Sequence, residues 1–510
     1  MKLFFAAFAC TCAFAAPAAD QVKSLPGFPA GFPFKAYSGF LDVTFSPTIN
    51  GYDGARIHYQ FHTSQSNSSA SDPVVAWHTG GPGGSSIYGQ YAELGYFQVS
   101  SSGERVNPDA WNNVANMLYL ESPAGSFITP VDQRSGFSYC TKNGEKQQKC
   151  SWNDKTQAEA YGHTLQAFFK AFPEYSSNEL YLAGESYAGQ YVPNIAAHLL
   201  ETQPSGVPAL KGIAVGNGCW GGDANSVNCN GPNDDKNLVN LYHGKGLVSD
   251  KLYASILSAC GDFSKESLAC EAQLMKMDKA VGPHNVYNVY DNCPNLYSGK
   301  KSLREWFELT GKSPRWLRKF LVANMQNPNA YAELEAMAAG AAEVRVGAGA
   351  GVGDVPAAGG GYEWTCGQFD ALPVYFARAD VRAALNLPNA KENGSVFDYD
   401  SSGPASVTLY PKLIKQIRVL IYNGDADSCV PYLGNEEWTA SMVDQGVVTE
   451  AQAWHPWYQS EDASAPAGYA TSYSDDFQFL TIRLSGHQVP KNNGAAALAM
   501  FKGFLAGKTF

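Results

Sequence analysis

Gly184-Glu185-Ser186-Tyr187-Ala188-Gly189 follows a short apolar run at 180–182 and precedes residues 192–200, in which apolar side chains recur at helical spacing. This order predicts a strand, a tight turn with Ser186 at its apex, and a helix, which is the setting of a nucleophile elbow. Small residues on both sides allow the sharp turn, and the N-terminus of the following helix favours developing negative charge. A glycine and a serine in a turn are more often structural, so the rest of the chain decides whether Ser186 has chemical partners.

The composition indicates a large protein with no nucleic-acid partner. The chain has 510 residues, of which 45% are hydrophobic and 16% charged. This is ample for a large core, and it favours one big domain with insertions or two domains. The net charge is -11 and the pI is near 5.3. No stretch of lysine and arginine resembles a nucleic-acid footprint, so we expect no such partner.

The N-terminus has the pattern of a secretory signal peptide. Lys2 provides a positive start, an apolar stretch continues to about Ala16, and small residues follow as far as Ala19. A membrane anchor is the alternative, but the run is shorter than the ~20 residues that a spanning helix needs. We therefore predict that residues 1–19 are a signal peptide, that the mature chain enters the secretory pathway, and that it has no membrane partner.

The cysteines predict disulfide bonds rather than a metal site. Eleven are present, and Cys10 and Cys12 would leave with the signal peptide. In an oxidising compartment most of the others should pair. Close neighbours suggest three bridges and a remaining pair: Cys140–Cys150, Cys219–Cys229 and Cys260–Cys270, with Cys293–Cys366 left over. Cys429 is then the odd cysteine. Zinc binding is the alternative, but the chain has no Cys-x-x-Cys spacing, so we expect no metal.

Two further triplets fit a secreted chain. Asn67-Ser68-Ser69 and Asn393-Gly394-Ser395 have the pattern that accepts N-glycans. Such triplets are often unused, so they remain candidate modification sites only.

Hydrophobic periodicity divides the chain into an α/β core and an insertion. Strand-like runs alternate with helical segments in the first and last parts, which predicts a central, mostly parallel sheet flanked by helices. Between 218 and 370 the strand signals fade and helical patterns dominate, so this region is predicted to be a mainly helical cap insertion. It contains an Ala/Gly-rich loop at 338–361. The core then comprises 20–217 and 371–510.

Local patterns place the elements of this core. An antiparallel pair of strands is expected between 34 and 61, with its turn at Gly51-Tyr52-Asp53-Gly54. Buried strands are expected at four apolar runs, 74–77, 117–120, 180–182 and 419–422. Helices are expected at 157–172, 236–247 and 250–260.

A nucleophilic serine needs a base, and the base needs an acid that orients it. His487 lies on a loop after the last strand-like run and can reach over a sheet edge, whereas His455 is better explained as a structural or surface residue. The acid candidate is Asp427, in Asn423-Gly424-Asp425-Ala426-Asp427, although either aspartate could be a turn residue. The order serine, aspartate, histidine is that of α/β-hydrolases, and we predict that fold.

The glycine-rich segment Thr79-Gly80-Gly81-Pro82-Gly83-Gly84-Ser85-Ser86 follows the strand-like run at 74–77. Glycines let main-chain N–H groups approach a reacting carbonyl, and one such donor is typically worth about 10²–10³ in rate. A phosphate-cradling loop is the alternative, but the Gly-Lys-Ser/Thr ending is missing. This segment is therefore predicted to supply an oxyanion hole.

Together these motifs resemble the serine carboxypeptidases. The matching text covers nearly the whole mature chain, at 25–27, 37–39, 77–86, 111–112, 121–125, 136–139, 184–189, 216–218, 424–427 and 486–487. The resemblance implies Ser186 as nucleophile, His487 as base and Asp427 as orienting acid, with the main-chain N–H groups of Gly81 and Tyr187 as the oxyanion hole. It also implies an acyl-enzyme, peptide C-termini as substrates, secretion or a vacuolar or lysosomal location, and no cofactor, and it allows a homodimer.

The family recognises the terminal carboxylate of its substrate through carboxyl groups that lie close together. By motif these are Glu185 and Glu93, with Thr79 and Gly80 beside them. Two carboxyls that share a proton at low pH can donate hydrogen bonds to a carboxylate, and they repel it when both are ionised. The resemblance therefore implies peptidase activity at acidic pH. Ordinary ion pairing of the two glutamates is the alternative.

Three departures from the family pattern keep other functions open. Thr79 stands where the family has asparagine, so one hydroxyl donor replaces the two of an amide. Gly84 stands where the family has a cysteine, so the usual disulfide is missing there. Residues Phe127 to Ser135 interrupt the family's Pro-Ala-Gly-x-Gly-Phe-Ser-Tyr text, as a loop insertion or an error in the gene sequence. The rival functions are an acyltransferase with the same triad and a non-catalytic binding protein on the hydrolase fold.

Overall fold

Continuous apolar runs, which suit strands buried on both faces, form the middle of a central sheet. The computed structural model describes residues 17–100, 102–128, 136–221, 229–263, 267–282, 284–291, 368–389, 394–401, 403 and 405–510. The signal sequence as far as residue 16, the Cys293–Cys366 pair, Asn393 and the Ala/Gly-rich loop at 338–361 lie outside these residues. So do residues 129–135 of the interruption.

The described part of the chain contains the following strands: β1 (Gln21–Val22), β2 (Ala36–Ile49), β3 (Tyr52–His62), β4 (Val74–His78), β5 (Phe97–Ser100), β6 (Gly103–Val106), β7 (Asn116–Leu120), β8 (Tyr139–Lys142), β9 (Glu145–Lys146), β10 (Lys149–Asn153), β11 (Leu180–Glu185), β12 (Leu210–Gly216), β13 (Val396–Asp400), β14 (Arg418–Gly424), β15 (Glu450–Trp457), β16 (Gly468–Tyr473) and β17 (Phe477–Ile482). The four predicted apolar strands are confirmed as β4, β7, β11 and β14.

The central sheet has the order β1-β2-β3-β7-β4-β11-β12-β14-β17-β16-β15. Its middle, from β7 to β17, is parallel, and both outer parts are antiparallel. Strands β8 and β9 extend β3, while β5–β6 and β10–β13 form separate pairs. This is the mostly parallel α/β sheet that the sequence predicts, and the parallel strands β11, β12, β14 and β17 bring their carboxyl ends to one edge.

The turn between β2 and β3 lies earlier than predicted. The expected turn, Gly51-Tyr52-Asp53-Gly54, is wrong in its placement, because β3 already begins at Tyr52. Asn50 and Gly51 instead form the turn, with φ values of 52° and 78°. Asparagine followed by glycine suits a two-residue turn in which both central residues need positive φ.

The helices of the described residues are α1 (Ser86–Gly89), a π-helix (Gln90–Leu94), α2 (Asp154–Ala171), α3 (Ala188–Thr202), α4 (Asp234–Gly244), α5 (Asp250–Cys260), α6 (Leu268–Val281), α7 (Gln368–Ala377), α8 (Ala379–Ala384), α9 (Tyr410–Leu413), α10 (Tyr432–Asp444), α11 (Val489–Asn492) and α12 (Gly494–Leu505), with short 3₁₀ turns at Ala18–Asp20, Trp111–Asn113, Pro173–Tyr175 and Ser406–Thr408. The predicted helices correspond to α2, α4 and α5. Helix α2 begins earlier than predicted because Asn153 and Thr156 form a capping box.

Two apolar cores lie on the two faces of the sheet. Along β4, Val74 and Ala76 belong to one core and Val75 and Trp77 to the other, as alternate residues of a strand must. Helices α2 and α3 pack on the first face, and α12 packs on the second. A third, smaller core holds α4, α5 and α6 together within the predicted insertion. The outer limits of that insertion, 218 and 370, remain a prediction.

Three of the predicted disulfides are formed: Cys140–Cys150, Cys219–Cys229 and Cys260–Cys270. Cys429 is a free cysteine, as expected for the odd one out. Within the residues that the structure describes, no helix is both long enough and apolar enough to cross a bilayer.

Candidate active site

Ser186 lies in the turn between β11 and α3, as the sequence predicts. Its φ is 62°, a left-handed conformation that is uncommon for a residue other than glycine, and its side chain is partly exposed. The Ser186 N–H donates to the Gly216 carbonyl at 3.1 Å, and the Ser186 carbonyl accepts from the Gly189 N–H at 2.8 Å. The surrounding main chain therefore holds Ser186 in the strained conformation that defines a nucleophile elbow.

Glycines on both sides of Ser186 are required by close packing. A Cβ at Gly184 would lie 2.6 Å from the His78 carbonyl oxygen and 2.7 Å from the Ala188 Cβ. A Cβ at Gly189 would overlap the main chain of Cys219. Only a residue without a side chain fits either position, which explains the small residues of the hexapeptide.

The glycine-rich loop packs directly on the elbow through Gly80. A Cβ at Gly80 would overlap the Tyr187 nitrogen and would lie 2.7 Å from the Ser186 Cβ. The Gly84 N–H donates to the Gly80 carbonyl at 2.8 Å, which closes the loop on itself. Gly81 follows with a φ of 123°. The structure thus brings the two predicted oxyanion donors, Gly81 and Tyr187, to adjoining segments.

Gly80→Ala is expected to lower kcat by about 10²-fold, because the added Cβ must push the loop away from Tyr187 and displace the N–H donors. Gly244→Ala is the matched control, since a Cβ at Gly244 meets no atom within 4 Å. Steady-state kinetics on both folded variants would test this. Similar kcat values for the two variants would contradict the proposed closeness of the loop to the reacting group.

Asp427 and His487 follow β14 and β17 and are hydrogen-bonded to each other. The His487 Nδ1 lies 2.6 Å from the Asp427 Oδ2, and both side chains are buried. The His487 N–H also donates to the Tyr287 carbonyl at 2.7 Å, and the Tyr287 ring contacts the imidazole. Strands β11, β12, β14 and β17 are parallel and adjacent in that order. Ser186, Asp427 and His487 follow β11, β14 and β17, so all three lie at the same edge of the sheet.

Asn217 is a residue to which the sequence reasoning assigned no role, although its motif was noted. The Asn217 Nδ2 donates to the Asp427 Oδ2 at 2.8 Å, and its Oδ1 accepts from the Gly424 N–H at 3.1 Å. The Cys429 N–H donates to the Asp427 Oδ1 at 2.8 Å. Asp427 therefore accepts three hydrogen bonds. The motif Gly216-Asn217-Gly218, which the sequence analysis matched to the family, was the available signal.

The structure separates Asp427 from the neighbouring aspartate. Asp425 is partly exposed and pairs with Lys245 at 3.3 Å rather than with a histidine. His455 lies on β15 and contacts the main-chain oxygens of Ala453 and Phe510, each at 2.8 Å. Neither residue belongs to the group around Ser186.

Two buried carboxyl groups lie beside the elbow. Glu185 directly precedes Ser186, and Glu93 comes from the π-helix, a distortion often found at functional sites. Their exposed fractions are 3% and 0%. Burial raises the pKa of Glu93 to about 7, while hydrogen bonds with Glu185 and Gln488 act in the opposite direction. Burial, followed by the charge of Glu93, raises the pKa of Glu185 well above its ordinary value. The pair therefore retains protons at acidic pH.

The segment after His487 connects the imidazole to this carboxyl pair. The Gln488 Nε2 donates to the Glu93 Oε1 at 3.1 Å and to the Tyr88 hydroxyl at 3.0 Å. Burial lowers the pKa of Lys491 to about 7, while the charge of Glu93 raises it. The sequence reasoning missed Gln488 and Lys491, and their position beside the His487 motif was the only signal.

Thr79 lies at the start of the glycine-rich loop and is partly exposed. The Trp77 Nε1 donates to the Thr79 Oγ1 at 3.1 Å. Because the indole occupies a lone pair of that oxygen, the hydroxyl hydrogen is the group that Thr79 can offer to a ligand. Among the residues that the structure describes, no cluster of three His, Cys, Asp or Glu side chains could hold a metal ion.

Comparison with known proteins concerns the chain as a whole rather than its individual site residues. The family model described as "Serine carboxypeptidase" matches residues 26–507. "Serine carboxypeptidase-like 20" from Arabidopsis thaliana is 31% identical, covering 96% of this chain and 94% of its own. The "Lysosomal protective protein" of Mus musculus is 30% identical, covering 96% of this chain and 94% of its own.

A solved structure shows the same fold. Kex1(delta)p, a prohormone-processing carboxypeptidase from Saccharomyces cerevisiae, has a TM-score of 0.60 at 18% identity, covering 95% of each chain. At that identity the likeness concerns the fold alone, whereas the family model and the relatives cover almost the whole sequence. The chain therefore belongs to the serine carboxypeptidase family.

Proposed function

We propose that this protein is a serine-type carboxypeptidase that releases C-terminal residues from peptides at acidic pH. Ser186, Asp427 and His487 form its triad, and the N–H groups of Gly81 and Tyr187 form its oxyanion hole. Glu93 and Glu185, together with Thr79 and Gly80, bind the terminal carboxylate of the substrate. Family membership supports the reaction class, and no cofactor is needed for this chemistry.

The observation that carries the proposal is the buried Glu93–Glu185 pair beside Ser186. A general serine hydrolase gains nothing from two desolvated carboxyl groups, which are costly to bury. A site that reads a substrate carboxylate does gain, because protonated carboxyl groups donate hydrogen bonds to it. The pKa of Glu93, about 7, keeps such donors available throughout the acidic range.

The reaction follows from the positions of these groups. Ser186 Oγ attacks the carbonyl carbon of the last peptide bond while His487 Nε2 takes its proton, since Nδ1 faces Asp427. The negative charge on the carbonyl oxygen is stabilised by the N–H groups of Gly81 and Tyr187. The C–N bond then breaks, His487 returns the proton to the leaving amine, and the C-terminal amino acid departs. A water molecule, deprotonated by His487, hydrolyses the acyl-enzyme.

The KM for a peptide with a free C-terminus is expected to rise as the pH passes from 5 to 8. Below about pH 7 Glu93 is protonated and donates to the substrate carboxylate; above it the pair gains negative charge and repels that carboxylate. For one essential proton the rise approaches tenfold per pH unit on the alkaline side, roughly. Steady-state kinetics at several pH values would measure it.

One control substrate and two variants isolate the carboxyl pair in this experiment. An ester substrate without a free carboxylate should show a flat KM. Glu93→Gln should flatten the KM of the peptide, because the amide that replaces the titrating carboxyl group stays neutral. Glu201→Gln is the matched control, since Glu201 is exposed and lies at the far end of α3. Equal KM rises for peptide and ester would show that the pair does not read the substrate carboxylate.

An acyltransferase is the second candidate, and Thr79 is the observation that favours it. With its oxygen engaged by Trp77, Thr79 offers a single donor to the substrate carboxylate. Incubating the same preparation with a blocked dipeptide and with an acyl glucose would distinguish the two functions. Transfer of the acyl group without peptide cleavage would favour the acyltransferase.

We further propose that the protein acts in the vacuole or lysosome or after secretion. Three disulfides support passage through an oxidising compartment, and a relative at 30% identity is named a lysosomal protein. A homodimer is proposed only on the family resemblance, and sedimentation of the purified protein would test it.

A further inference from the structure

Phe127, the first residue of the interruption, lies against the glycine-rich loop. The Phe127 N–H donates to the Gly83 carbonyl at 2.8 Å, and the Ser85 N–H donates to the Phe127 carbonyl at 2.8 Å. These two bonds form an isolated parallel bridge between Phe127 and Gly84. The glycine-rich loop is therefore hydrogen-bonded to the main chain of a segment that interrupts the family's sequence motif.

The Phe127 side chain also packs against the glycine-rich loop. A Cβ at Gly83 would lie 2.7 Å from the Phe127 ring and 2.5 Å from the Phe397 ring of β13, and the two rings are in edge-to-face contact. The Gly83 N–H donates to the Tyr191 hydroxyl at 3.0 Å. Gly83 is therefore enclosed by two aromatic rings, a hydroxyl of α3 and the main chain of Phe127.

The segment that carries Phe127 is itself anchored at its base. A Cβ at Gly136 would overlap the Ser126 carbonyl oxygen, so the residues on either side of 127–135 lie next to each other. The buried Glu121 Oε2 accepts from the N–H groups of Phe137 at 2.7 Å and Ser138 at 2.6 Å. These bonds fix the end to which the interruption returns.

Such enclosure matters because the loop is rich in glycine. Glycine loses more backbone freedom on folding than any other residue, so a run of glycines needs external contacts to hold one conformation. An oxyanion hole has to keep its donors within about 0.5 Å of the productive position. Gly80 is positioned by the elbow, and Gly83 by Phe127, so the Gly81 N–H lies between two fixed points.

We propose that Phe127 is a positioning residue that holds the glycine-rich loop in its oxyanion-binding conformation. This inference rests on the proposed function, in which the Gly81 N–H stabilises the transition state. The first residue of the interruption then contributes to the geometry of the oxyanion hole. A loss of Phe127 should therefore reduce transition-state stabilisation and leave ground-state binding of the substrate nearly unchanged.

Steady-state kinetics on Phe127→Ala, Phe127→Pro and Phe127→Tyr tests this role. Alanine removes the ring, proline removes the N–H that bonds to Gly83, and tyrosine keeps both. We expect kcat to fall about tenfold in the first two variants with KM within about twofold, and to recover in Phe127→Tyr. Thermal unfolding of each variant establishes that it is folded.

Phe504→Ala is the matched control for lost aromatic packing. Phe504 contacts Gly212 and Arg418 at the opposite ends of the parallel strands, far from Ser186. Its kcat should be unchanged. A fall in kcat equal to that of Phe127→Ala, a rise in KM alone, or unchanged kcat in the folded Phe127 variants would overturn the proposal. Turnover by the unsubstituted protein in the same assay tests the proposed function separately.

Discussion

Ser186→Ala is expected to lower kcat for peptide cleavage by about 10⁴- to 10⁶-fold. Without the hydroxyl no acyl-enzyme can form, and only the oxyanion hole and substrate binding remain to accelerate the attack of water. Alanine is smaller than serine and removes no hydrogen bond of the main chain, so the elbow should stay folded. KM should change little, because the carboxyl pair that binds the substrate is intact.

Labelling with a fluorophosphonate provides an independent measurement of the same prediction. The unsubstituted protein should be labelled, and Ser186→Ala should not. Ser441→Ala is the control, because Ser441 lies on α10 and donates only to the Trp438 carbonyl. Full labelling of Ser186→Ala would place the reactive serine elsewhere. An unlabelled but folded native protein would favour the non-catalytic binding protein instead.

The parts of the site that could be predicted from sequence are those determined by neighbours in the chain. The strand, turn and helix around Ser186 follow from apolar runs and small residues over about twenty positions. The parallel middle of the sheet follows from continuous apolar strands. Once the sheet is parallel, motifs that follow its strands must share one edge, which is why Asp427 and His487 could be named as partners of Ser186.

Other parts depended on the family resemblance rather than on local pattern. Glu93 lies far from Glu185 in sequence, and nothing in its surroundings marks it as buried or paired. Its environment is created by the π-helix and by Gln488, which come from opposite ends of the chain. The local sequence pattern also placed the turn between β2 and β3 too late. The prediction put it at residues 51–54, whereas Asn50 and Gly51, which both have positive φ, form the turn.

The remaining parts could not be predicted, because they arise from contacts between segments. Asn217 acts on Asp427 across two neighbouring strands. In the sequence, Phe127 is the first residue that interrupts a family motif. In the structure, its main chain is hydrogen-bonded to Gly83 and Ser85. The sequence predicts that Gly80 binds substrate. The structure shows in addition that residue 80 has to be glycine, because a Cβ at this position would overlap the elbow. Burial and contacts of this kind depend on how distant segments of the folded chain pack together, so the local sequence does not reveal them.

Asp427→Asn is expected to lower kcat by about 10⁴-fold while leaving the fold intact. Asp427 accepts hydrogen bonds from the His487 Nδ1, the Asn217 Nδ2 and the Cys429 N–H, and all three neighbours are donors. An asparagine has one oxygen and one NH₂ group, so it cannot accept from all of them. If the NH₂ group faces His487, the imidazole has to accept at Nδ1 and carries its proton at Nε2, where it can no longer take one from Ser186.

Asp425→Asn is the matched control, because Asp425 lies two residues away and pairs with Lys245 rather than with His487. Its kcat should remain within about fivefold of the native value, since Asp425 does not orient the imidazole of His487. The loss in Asp427→Asn should ease at higher pH, where hydroxide replaces the missing general base. Equal losses of kcat in the two variants would contradict this explanation. They would show that kcat depends on the negative charge near the end of β14 and not on the tautomer of His487.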